Sequence, residues 1–320
     1  MTATAKGGAF ETILCPVDFS PNSRRALQHA TAIARRSKGR VTALYVNNPL
    51  LMAAAAAAYD ERDLARTCDT ELGRFIRQAV GPKGAPAVDR VVVMGEPARE
   101  IEKAAGRLGA DLIVVGTHGL SGAGKWFFGS TTERVLRHAT VAILAVPPSR
   151  RRGRASGPWP GKTALAAIDL GAEASSDAGR AAAVARGLHA RLLLAYVVPP
   201  DPVPLWLSAR LRVSQKEQLA NARAALARVA AGLGTDLKVD VRVQLGDPAD
   251  EIAALAAAAR AGLIIVALRK GEGAFGAAQG SITYRILSGG CTVPVLALPG
   301  ERRRDGAPGS DVRPDPSAFT

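Results

Sequence analysis

The chain has 320 residues, of which 48% are hydrophobic and 4% aromatic, and its formal net charge is +14. No apolar run reaches the roughly 18–20 residues of a membrane span, and no signal-peptide-like apolar stretch stands near residue 1, which argues against a membrane or secreted protein. Three cysteines in this length indicate a reduced compartment, so the sequence predicts a soluble cytoplasmic protein of two domains without a disulfide framework.

The positive charge comes from 42 Lys and Arg residues against 28 Asp and Glu residues. A basic surface can attract nucleic acid or anionic lipid, or raise the arrival rate of a phosphate ligand. With only 4% aromatic residues, the chain has few rings on which bases would stack. We therefore interpret the charge as a solvated, arginine-rich surface and expect neither nucleic acid nor a membrane as a partner.

Strands and helices alternate along the first half of the chain. A strand over 12–17 ends at Asp18, and Ser20 followed by Pro21 is typical of a helix N-cap and first turn. Gly39 is expected to end this helix. Further strands are predicted over 41–46, 88–94, 112–115 and 142–146, with helices over roughly 60–80 and from Pro97 onward. This alternation predicts an α/β fold with a parallel sheet and helices on both faces.

A glycine-rich loop follows the strand Leu112–Val115. Its glycines are Gly116, Gly119, Gly122, Gly124 and Gly129, and it closes on Ser130 at the predicted start of a helix. Glycines let the backbone approach a ligand closely, and the free N–H groups at a helix start face that ligand. The order of strand, loop and helix therefore predicts an anion site, for which a phosphate is the natural occupant.

The pattern then restarts in a fixed register. Asp169, Gly246 and Gly280 follow their counterparts Asp18, Gly95 and Gly129 by 151 residues each. The sequence therefore indicates a tandem duplication. We predict a first domain over 9–149, a basic Pro/Gly linker over 150–161, a second domain over 162–300 and a disordered tail over 301–320.

The triplet Pro16-Val17-Asp18 and the spacing Gly116-x2-Gly119-x9-Gly129-Ser130 resemble the universal stress protein family, in its ATP-binding subgroup. The resemblance covers nearly the whole chain as two family domains in tandem. It implies two doubly wound five-stranded parallel sheets of a Rossmann-like, adenine-nucleotide alpha-hydrolase-like kind. It also implies a nucleotide across the carboxyl ends of the strands and dimer-like pairing of the two domains. Pairing of two whole chains into a homodimer remains an open alternative.

The same resemblance implies a role for each matching position in the first domain. Asp18 would lie near the adenosine or ribose, while Pro16 and Val46 would line the base. The remaining positions would follow the ribose and phosphates by close backbone approach or by N–H and hydroxyl donation: Val115, Gly116, Gly119, Gly129, Ser130 and Thr131. The implied ligand is ATP, with or without Mg²⁺; ADP, AMP and a cyclic nucleotide remain alternatives.

Several of these residues also have a purely structural interpretation. Asp18 can support the turn that follows it, and Ser130 with Glu133 fits a capping box that needs no ligand. The stretch Gly119-x4-Gly124-Lys125 matches the start of a Walker A motif, but Trp126 stands where Ser or Thr would hold Mg²⁺. We therefore do not predict a P-loop.

The sequence offers no convincing catalytic group. We interpret His118 as a loop residue and Cys15 as a packing residue on a buried strand, and we predict no metal site. A non-enzymatic, nucleotide-binding stress-response protein is the expected function. An ATPase or other nucleotide-using enzyme, a basic nucleic-acid-associated protein and a pure scaffold remain as alternatives.

The second copy departs from the pattern that carries the phosphate prediction. Ala267 and Lys270 stand where the first copy has Gly116 and Gly119, although Asp169 and Gly280-Ser281 are retained. A side chain at position 270 would intrude where the backbone has to approach a phosphate, although Arg269 and Lys270 offer another way to hold an anion. We predict that the second domain does not bind ATP in the same pose.

Overall fold

We describe the protein from a computed structural model, which covers residues 10–47, 61–117, 129–138, 140–148, 161–200, 208–268 and 282–300. In the first half, the strands are β1 (Thr12–Val17), β2 (Arg40–Asn47), β3 (Val88–Met94), β4 (Leu112–Gly116) and β5 (Ala142–Val146). Its helices are α1 (Pro21–Ser37), α2 (Glu61–Val80), α3 (Pro97–Leu108) and α4 (Ser130–Arg137), and a short 3-10 helix spans Ala85–Ala87.

The second half repeats this order of elements. Its strands are β6 (Thr163–Ala167), β7 (Arg191–Val198), β8 (Val239–Leu245), β9 (Leu263–Leu268) and β10 (Val295–Pro299). Its helices are α5 (Ala174–Gly187), α6 (Ser208–Ala231), α7 (Pro248–Ala258) and α8 (Ile282–Ser288). The predicted alternation of strands and helices is therefore confirmed in both halves.

The strands form one ten-stranded sheet in the order β3-β2-β1-β4-β5-β10-β9-β6-β7-β8. Strand pairs within each half are parallel, whereas β5 and β10 pair antiparallel, with Leu144 opposite Leu296 at the centre. The fold class predicted from the sequence, two tandem doubly wound five-stranded parallel units, is confirmed. Strand order reverses between β1 and β4 in the first half and between β6 and β9 in the second. These are the positions where doubly wound sheets bind ligands.

Helices cover both faces of the sheet, and the apolar core lies between them in two layers. On one face, Leu27 of α1 and Phe75 of α2 share a cluster with Leu226 of α6. On the other face, Ile101 of α3 packs in a cluster that also holds Ile252 of α7. Because each cluster contains residues of both halves, the core is continuous across the β5–β10 junction. None of the described helices is long and apolar enough to cross a membrane.

Helix α1 begins as predicted but ends differently. The side chain of Ser20 accepts a 3.1 Å hydrogen bond from the Ser23 N–H, and Pro21 is the first helical residue. At the other end, the left-handed residue is Lys38, with φ of 55°, so the prediction that Gly39 terminates the helix is wrong by one residue. Gly39 is needed for a different reason: a Cβ there would lie 2.6 Å from the carbonyl oxygen of Phe10.

Candidate functional site

The turn after β1 is tied together by the Asp18 carboxylate. Its Oδ1 atom accepts a 3.0 Å hydrogen bond from the Ser20 N–H, and the Asp18 N–H donates to Ser23 Oγ at 3.3 Å. The structural interpretation of Asp18 is therefore correct for one oxygen. A carboxylate accepts several hydrogen bonds, and the Oδ2 atom has no partner among the described residues, so it remains available to a ligand.

Phe19, which lies between Asp18 and Ser20, has φ of 62°. A bulky side chain in the left-handed region costs conformational energy and is held there by its surroundings. Its ring packs 4.5 Å from the Tyr45 ring and 5.5 Å from the Phe75 ring, and the Arg24 guanidinium lies 5.6 Å over Phe75. This aromatic cluster, made of Phe19, Tyr45 and Phe75, fixes the turn that carries Asp18.

The end of β4 approaches the first turn of α1 so closely that a side chain at 116 would be tightly crowded. A Cβ on Gly116 would lie 3.0 Å from the Asn22 carbonyl carbon and 3.2 Å from the Asn22 Cβ. Absence of a side chain at 116 thus brings the Asp18 turn, the start of α1 and the end of β4 to one edge of the sheet. The glycine acts here through helix–strand packing as well as through any ligand.

Two hydrogen bonds anchor the start of α4 to the end of β4. The Gly129 N–H donates to the Thr117 carbonyl at 2.8 Å, and Thr132 Oγ1 donates to the Gly116 carbonyl at 2.9 Å. Both ends of the glycine loop are therefore held at one place. The Gly129 amide, which the resemblance assigned to phosphate, is already used within the fold.

The capping box expected from Ser130 and Glu133 does not form. Gly129 is the N-cap, Ser130 is the first helical residue, and the Glu133 carboxylate pairs with Arg137 at 2.9 Å. Within the described residues, the N–H groups of Ser130, Thr131 and Thr132 have no hydrogen-bond partner, nor do the Ser130 and Thr131 hydroxyls. Three amide donors and two hydroxyls are therefore available at the start of α4, where the helix dipole favours an anion.

The structure brings the described members of the predicted site to one edge of the sheet. Pro16, Asp18 and Val46 lie at the carboxyl ends of β1 and β2, beside the Val115–Gly116 end of β4. The Val115 side chain, at 4% exposure, packs into the core and leaves only its backbone toward the edge. The loop positions that the sequence analysis also discussed lie outside the described residues: His118, Gly119, Gly122, Gly124, Lys125 and Trp126.

A group of three polar residues next to this edge, Tyr45, Asn47 and Cys68, was not anticipated from the sequence. Burial raises the pKa of Tyr45, and the nearby Cys68 and Asp18 raise it further. The Cys68 thiol donates to the Asn47 side-chain oxygen at 3.5 Å, which places both residues beside the aromatic cluster. Only packing reveals this group, because Cys68 belongs to α2 and Tyr45 to β2.

Two further titratable side chains of the first half, Cys15 and His29, are affected by burial. Cys15 is fully buried, as predicted, and burial strongly raises the pKa of its thiol. Burial, and then the charge of Arg25, lower the pKa of His29 to about 3. In the part of the chain that is described, no cluster of His, Cys, Asp and Glu side chains is arranged to hold a metal ion.

An ion pair joins α3 to α4 in the first half, and an equivalent pair joins α7 to α8 in the second half. Glu96 caps α3, accepting from Arg99 N–H at 3.0 Å, and its carboxylate also pairs with Arg134 at 3.0 Å. In the second half, Asp247 caps α7 and pairs with Arg285 at 2.7 Å. The acid–base pair keeps the same 151-residue offset, a signal by which the sequence alone would have revealed it.

The second half has a cleft of about 400 Å³ at the corresponding edge, where β6 and β9 end. Its lining includes Asp169 after β6, Ala267 and Leu268 of β9, and Ile282 and Thr283 of α8. Lys270, Arg269 and Gly280-Ser281, on which the prediction for the second domain also relied, lie outside the described residues.

Comparison with known proteins agrees with this duplicated architecture. A family described as "Universal stress protein family" matches residues 9–147 and again 161–299. A universal stress protein from Thermus aquaticus is 32% identical over 137 residues, which are 43% of this chain and 98% of the relative.

Two solved structures cover most of the chain. The structure of a functionally unknown protein from Pseudomonas aeruginosa has a TM-score of 0.63 at 19% identity and covers 91% of this chain and 93% of its own. A universal stress protein from Archaeoglobus fulgidus has a TM-score of 0.58 at 20% identity, with coverage of 90% and 96%. At these identities the two structures are similar in fold.

Proposed function

Because the chain belongs to the universal stress protein family as a tandem of two domains, we propose that it is an ATP-binding regulatory protein whose nucleotide lies in the first domain. The observation that carries the proposal is the start of α4. There the Ser130, Thr131 and Thr132 amides and two hydroxyls are unpaired among the described residues, at the switch point of the strand order. Such a helix start binds phosphate through its N–H groups and its dipole.

The geometry supports the same orientation of the nucleotide that the resemblance implies. The phosphates would lie at the start of α4, and the ribose would lie toward Asp18, whose Oδ2 atom can accept from a hydroxyl. Val46 and Pro16, both half-buried, would face the base. Asp18 and Gly116 both lie beside the first turn of α1, at the ends of the neighbouring strands β1 and β4. The ribose and the phosphates would therefore lie at the ends of neighbouring strands.

We propose binding without an assigned catalytic step. The described groups at this edge are amides, hydroxyls and one carboxylate, which orient a nucleotide by hydrogen bonding but supply no nucleophile activated by a neighbouring base. No carboxylate cluster among the described residues is arranged for a cation, so we assign no residue of the chain to Mg²⁺. Ligand occupancy would then act by shifting conformation or partner choice.

We further propose that the second domain serves the first as a built-in partner. The antiparallel β5–β10 pairing, with Ala145 opposite Val295 and Ile143 opposite Ala297, supports this arrangement. Main-chain hydrogen bonding and a shared core give the two halves a fixed relation that two separate chains would have to reach by association. The Arg36 guanidinium adds a 2.9 Å hydrogen bond to the Leu188 carbonyl across the junction.

Calorimetric titration of the full chain with ATP tests the proposal. Thr131→Glu places a carboxylate at the start of α4. The helix dipole stabilises this charge, so the helix is kept, but the charge repels phosphate. Ile282→Glu makes the same change at the equivalent position of α8 and is the matched control. We expect one ATP per chain, lost in Thr131→Glu and retained in Ile282→Glu.

Two results would contradict the proposal. One is wild-type protein, freed of co-purified nucleotide, that takes up no ATP. The other is multiple turnover of ATP that disappears in Lys125→Ala or His118→Ala, which would indicate an enzyme. Two equivalent ATP sites per chain would overturn only the assignment to the first domain.

A further inference from the structure

We propose that one face of the chain, formed by α1, α2, α5 and α6, binds the phosphate backbone of a nucleic-acid duplex. These four helices cover the side of the sheet whose core holds Leu27, Phe75, Ala178 and Leu226. We call this surface the basic face, and the opposite face carries α3, α4, α7 and α8. Duplex binding here does not depend on a nucleotide at the start of α4.

The positive charge of the chain is concentrated on the basic face. The sequences of its four helices hold 15 Lys and Arg residues against 6 Asp and Glu residues. The four helices of the opposite face hold 6 against 5. A general preference of the chain for arginine would charge both faces alike. Whole-chain composition cannot show this difference, so the expectation that nucleic acid is not a partner does not extend to the basic face.

On the opposite face, carboxylates neutralise most of the cations. Lys103 and Arg107 both approach the Glu100 carboxylate, at 2.6 and 3.9 Å, and Arg137 pairs with Glu133 at 2.9 Å. The N-cap carboxylates of α3 and α7 pair with an arginine of α4 and of α8. This face therefore has little positive charge left for a polyanion.

Helix α1 shows the contrary arrangement, because its four arginines have no carboxylate partner among the described residues. Arg24 donates to the Gln78 side-chain oxygen at 3.1 Å, and Arg36 donates to the Leu188 carbonyl at 2.9 Å. Arg35 is exposed and donates only to a carbonyl of its own helix. Neutral acceptors position a guanidinium but leave its charge uncompensated, so it can still attract a phosphate. The Arg36–Leu188 hydrogen bond also joins α1 to the end of α5, which makes the basic face continuous across the two halves.

The residue types of the basic face favour phosphate over a protein or a membrane. All cations of its helices except Lys216 are arginines, and the planar guanidinium binds two phosphate oxygens at once. The two large apolar side chains that are exposed among the described residues, Met94 and Ile282, lie outside these helices. Protein interfaces and membrane-inserted helices need exposed apolar anchors, which the described part of this face does not supply.

The same residues favour a duplex over a single strand. The four helices contain one aromatic residue, Phe75, and it is buried at 4% exposure. Unpaired bases therefore have no ring on which to stack, whereas a duplex keeps its bases stacked inside and presents phosphates. Ten strands spaced by about 4.8 Å make a sheet roughly 43 Å wide, which matches the length of about a dozen base pairs. Contacts to phosphates alone carry no sequence preference.

Fluorescence anisotropy of a labelled duplex against the full chain, at several salt concentrations, tests the proposal. Arg35→Gln with Arg223→Gln removes two exposed charges from the basic face. Arg99→Gln with Arg107→Gln removes two exposed charges from the opposite face and is the matched control, because the net charge falls equally. Each lost phosphate contact reduces the slope of log K against log salt by about one. We expect a slope shallower by about two in the first double variant and an unchanged slope in the control.

Further comparisons separate the possible partners. Duplex DNA, duplex RNA, a single strand of the same length and vesicles of phosphatidylserine and phosphatidylcholine are tested side by side. We expect both duplexes to bind more tightly than the single strand or the vesicles, and the tighter duplex identifies the natural source of the phosphates. Lysine at positions 35 and 223 keeps both charges and should restore the salt slope, while equal urea midpoints show that the glutamine variants are folded.

Three results would overturn the proposal. The first is wild-type protein that binds neither duplex at low salt. The second is a single strand or an anionic vesicle that binds more tightly than both duplexes, which would indicate base recognition or a membrane partner. The third is an equal loss of affinity and slope in the two double variants, because binding would then follow net charge and not the basic face.

Discussion

Thr132 Oγ1 donates a 2.9 Å hydrogen bond to the Gly116 carbonyl, which joins the first turn of α4 to the end of β4. Thr132 is 6% exposed, so this hydrogen bond is shielded from water. Together with the hydrogen bond from the Gly129 N–H to the Thr117 carbonyl, it fixes where the amides at the start of α4 lie relative to Asp18. The position of the candidate phosphate site is therefore set by the ends of the glycine loop.

Thr132→Val should cost about 1–2 kcal/mol of unfolding free energy and weaken ATP binding, because it leaves the Gly116 carbonyl without its donor. Urea denaturation and calorimetry measure the two effects. Thr283→Val is the matched control, since Thr283 is equally buried but makes no hydrogen bond among the described residues. Equal losses in the two variants would show that the hydroxyl of Thr132 is not what anchors α4.

Glu96→Ala should destabilise the chain by about 1 kcal/mol, chiefly because α3 loses its N-cap. The Glu96–Arg134 ion pair is exposed, at 43% and 59% for the two side chains, and exposed pairs contribute little. Arg134→Ala, which removes the ion pair and keeps the cap, should therefore change the urea midpoint far less. A larger destabilisation in Arg134→Ala than in Glu96→Ala would show that the ion pair contributes more than the N-cap.

Gly39→Ala should destabilise the fold, because its Cβ would stand 2.6 Å from the Phe10 carbonyl oxygen and 2.8 Å from that of Glu11. These are backbone atoms of the segment just before β1, and they cannot yield as a flexible side chain can. Gly106→Ala is the contrasting variant: it lies within α3, where an added Cβ meets nothing within 4 Å, and alanine should stabilise a helix interior by about 0.5–1 kcal/mol. Thermal unfolding measures both effects: the melting temperature should fall in Gly39→Ala and rise in Gly106→Ala.

His29 should make the chain less stable in mild acid. Burial and Arg25 lower its folded pKa to about 3, whereas an unfolded histidine titrates near 6.5. The unfolded state therefore binds a proton that the folded state excludes, so stability is complete above about pH 6.5 and falls as the pH drops toward 3. Between about pH 6.5 and 5 the loss should be on the order of 2 kcal/mol.

Urea titrations at several pH values measure this slope. His29→Gln should flatten it, while His189→Asn, at an exposed position with a left-handed φ of 52° that asparagine tolerates, should keep it. A slope that persists in His29→Gln would assign the acid sensitivity to another group.

The duplication, the order of strands and helices, and the edge that carries the first site could be read from the sequence. Asp18 and Gly116 each follow an apolar strand, and the carboxyl ends of parallel strands meet at one edge, so their proximity follows from local pattern and topology alone. The start of α1 could equally be predicted from the sequence, because Ser20 and Pro21 begin a helix through their own local chemistry.

The sequence by itself thus determined the repeated α/β unit and the strand ends that carry the candidate site residues. Only the tertiary structure decided that β5 and β10 pair antiparallel, that the Gly129 N–H donates to the Thr117 carbonyl, and that a cleft lies beside Asp169. The physical reason is distance along the chain. Helix and strand signals act between near neighbours, whereas a closed hydrogen bond or an open cleft depends on how segments tens of residues apart pack against each other.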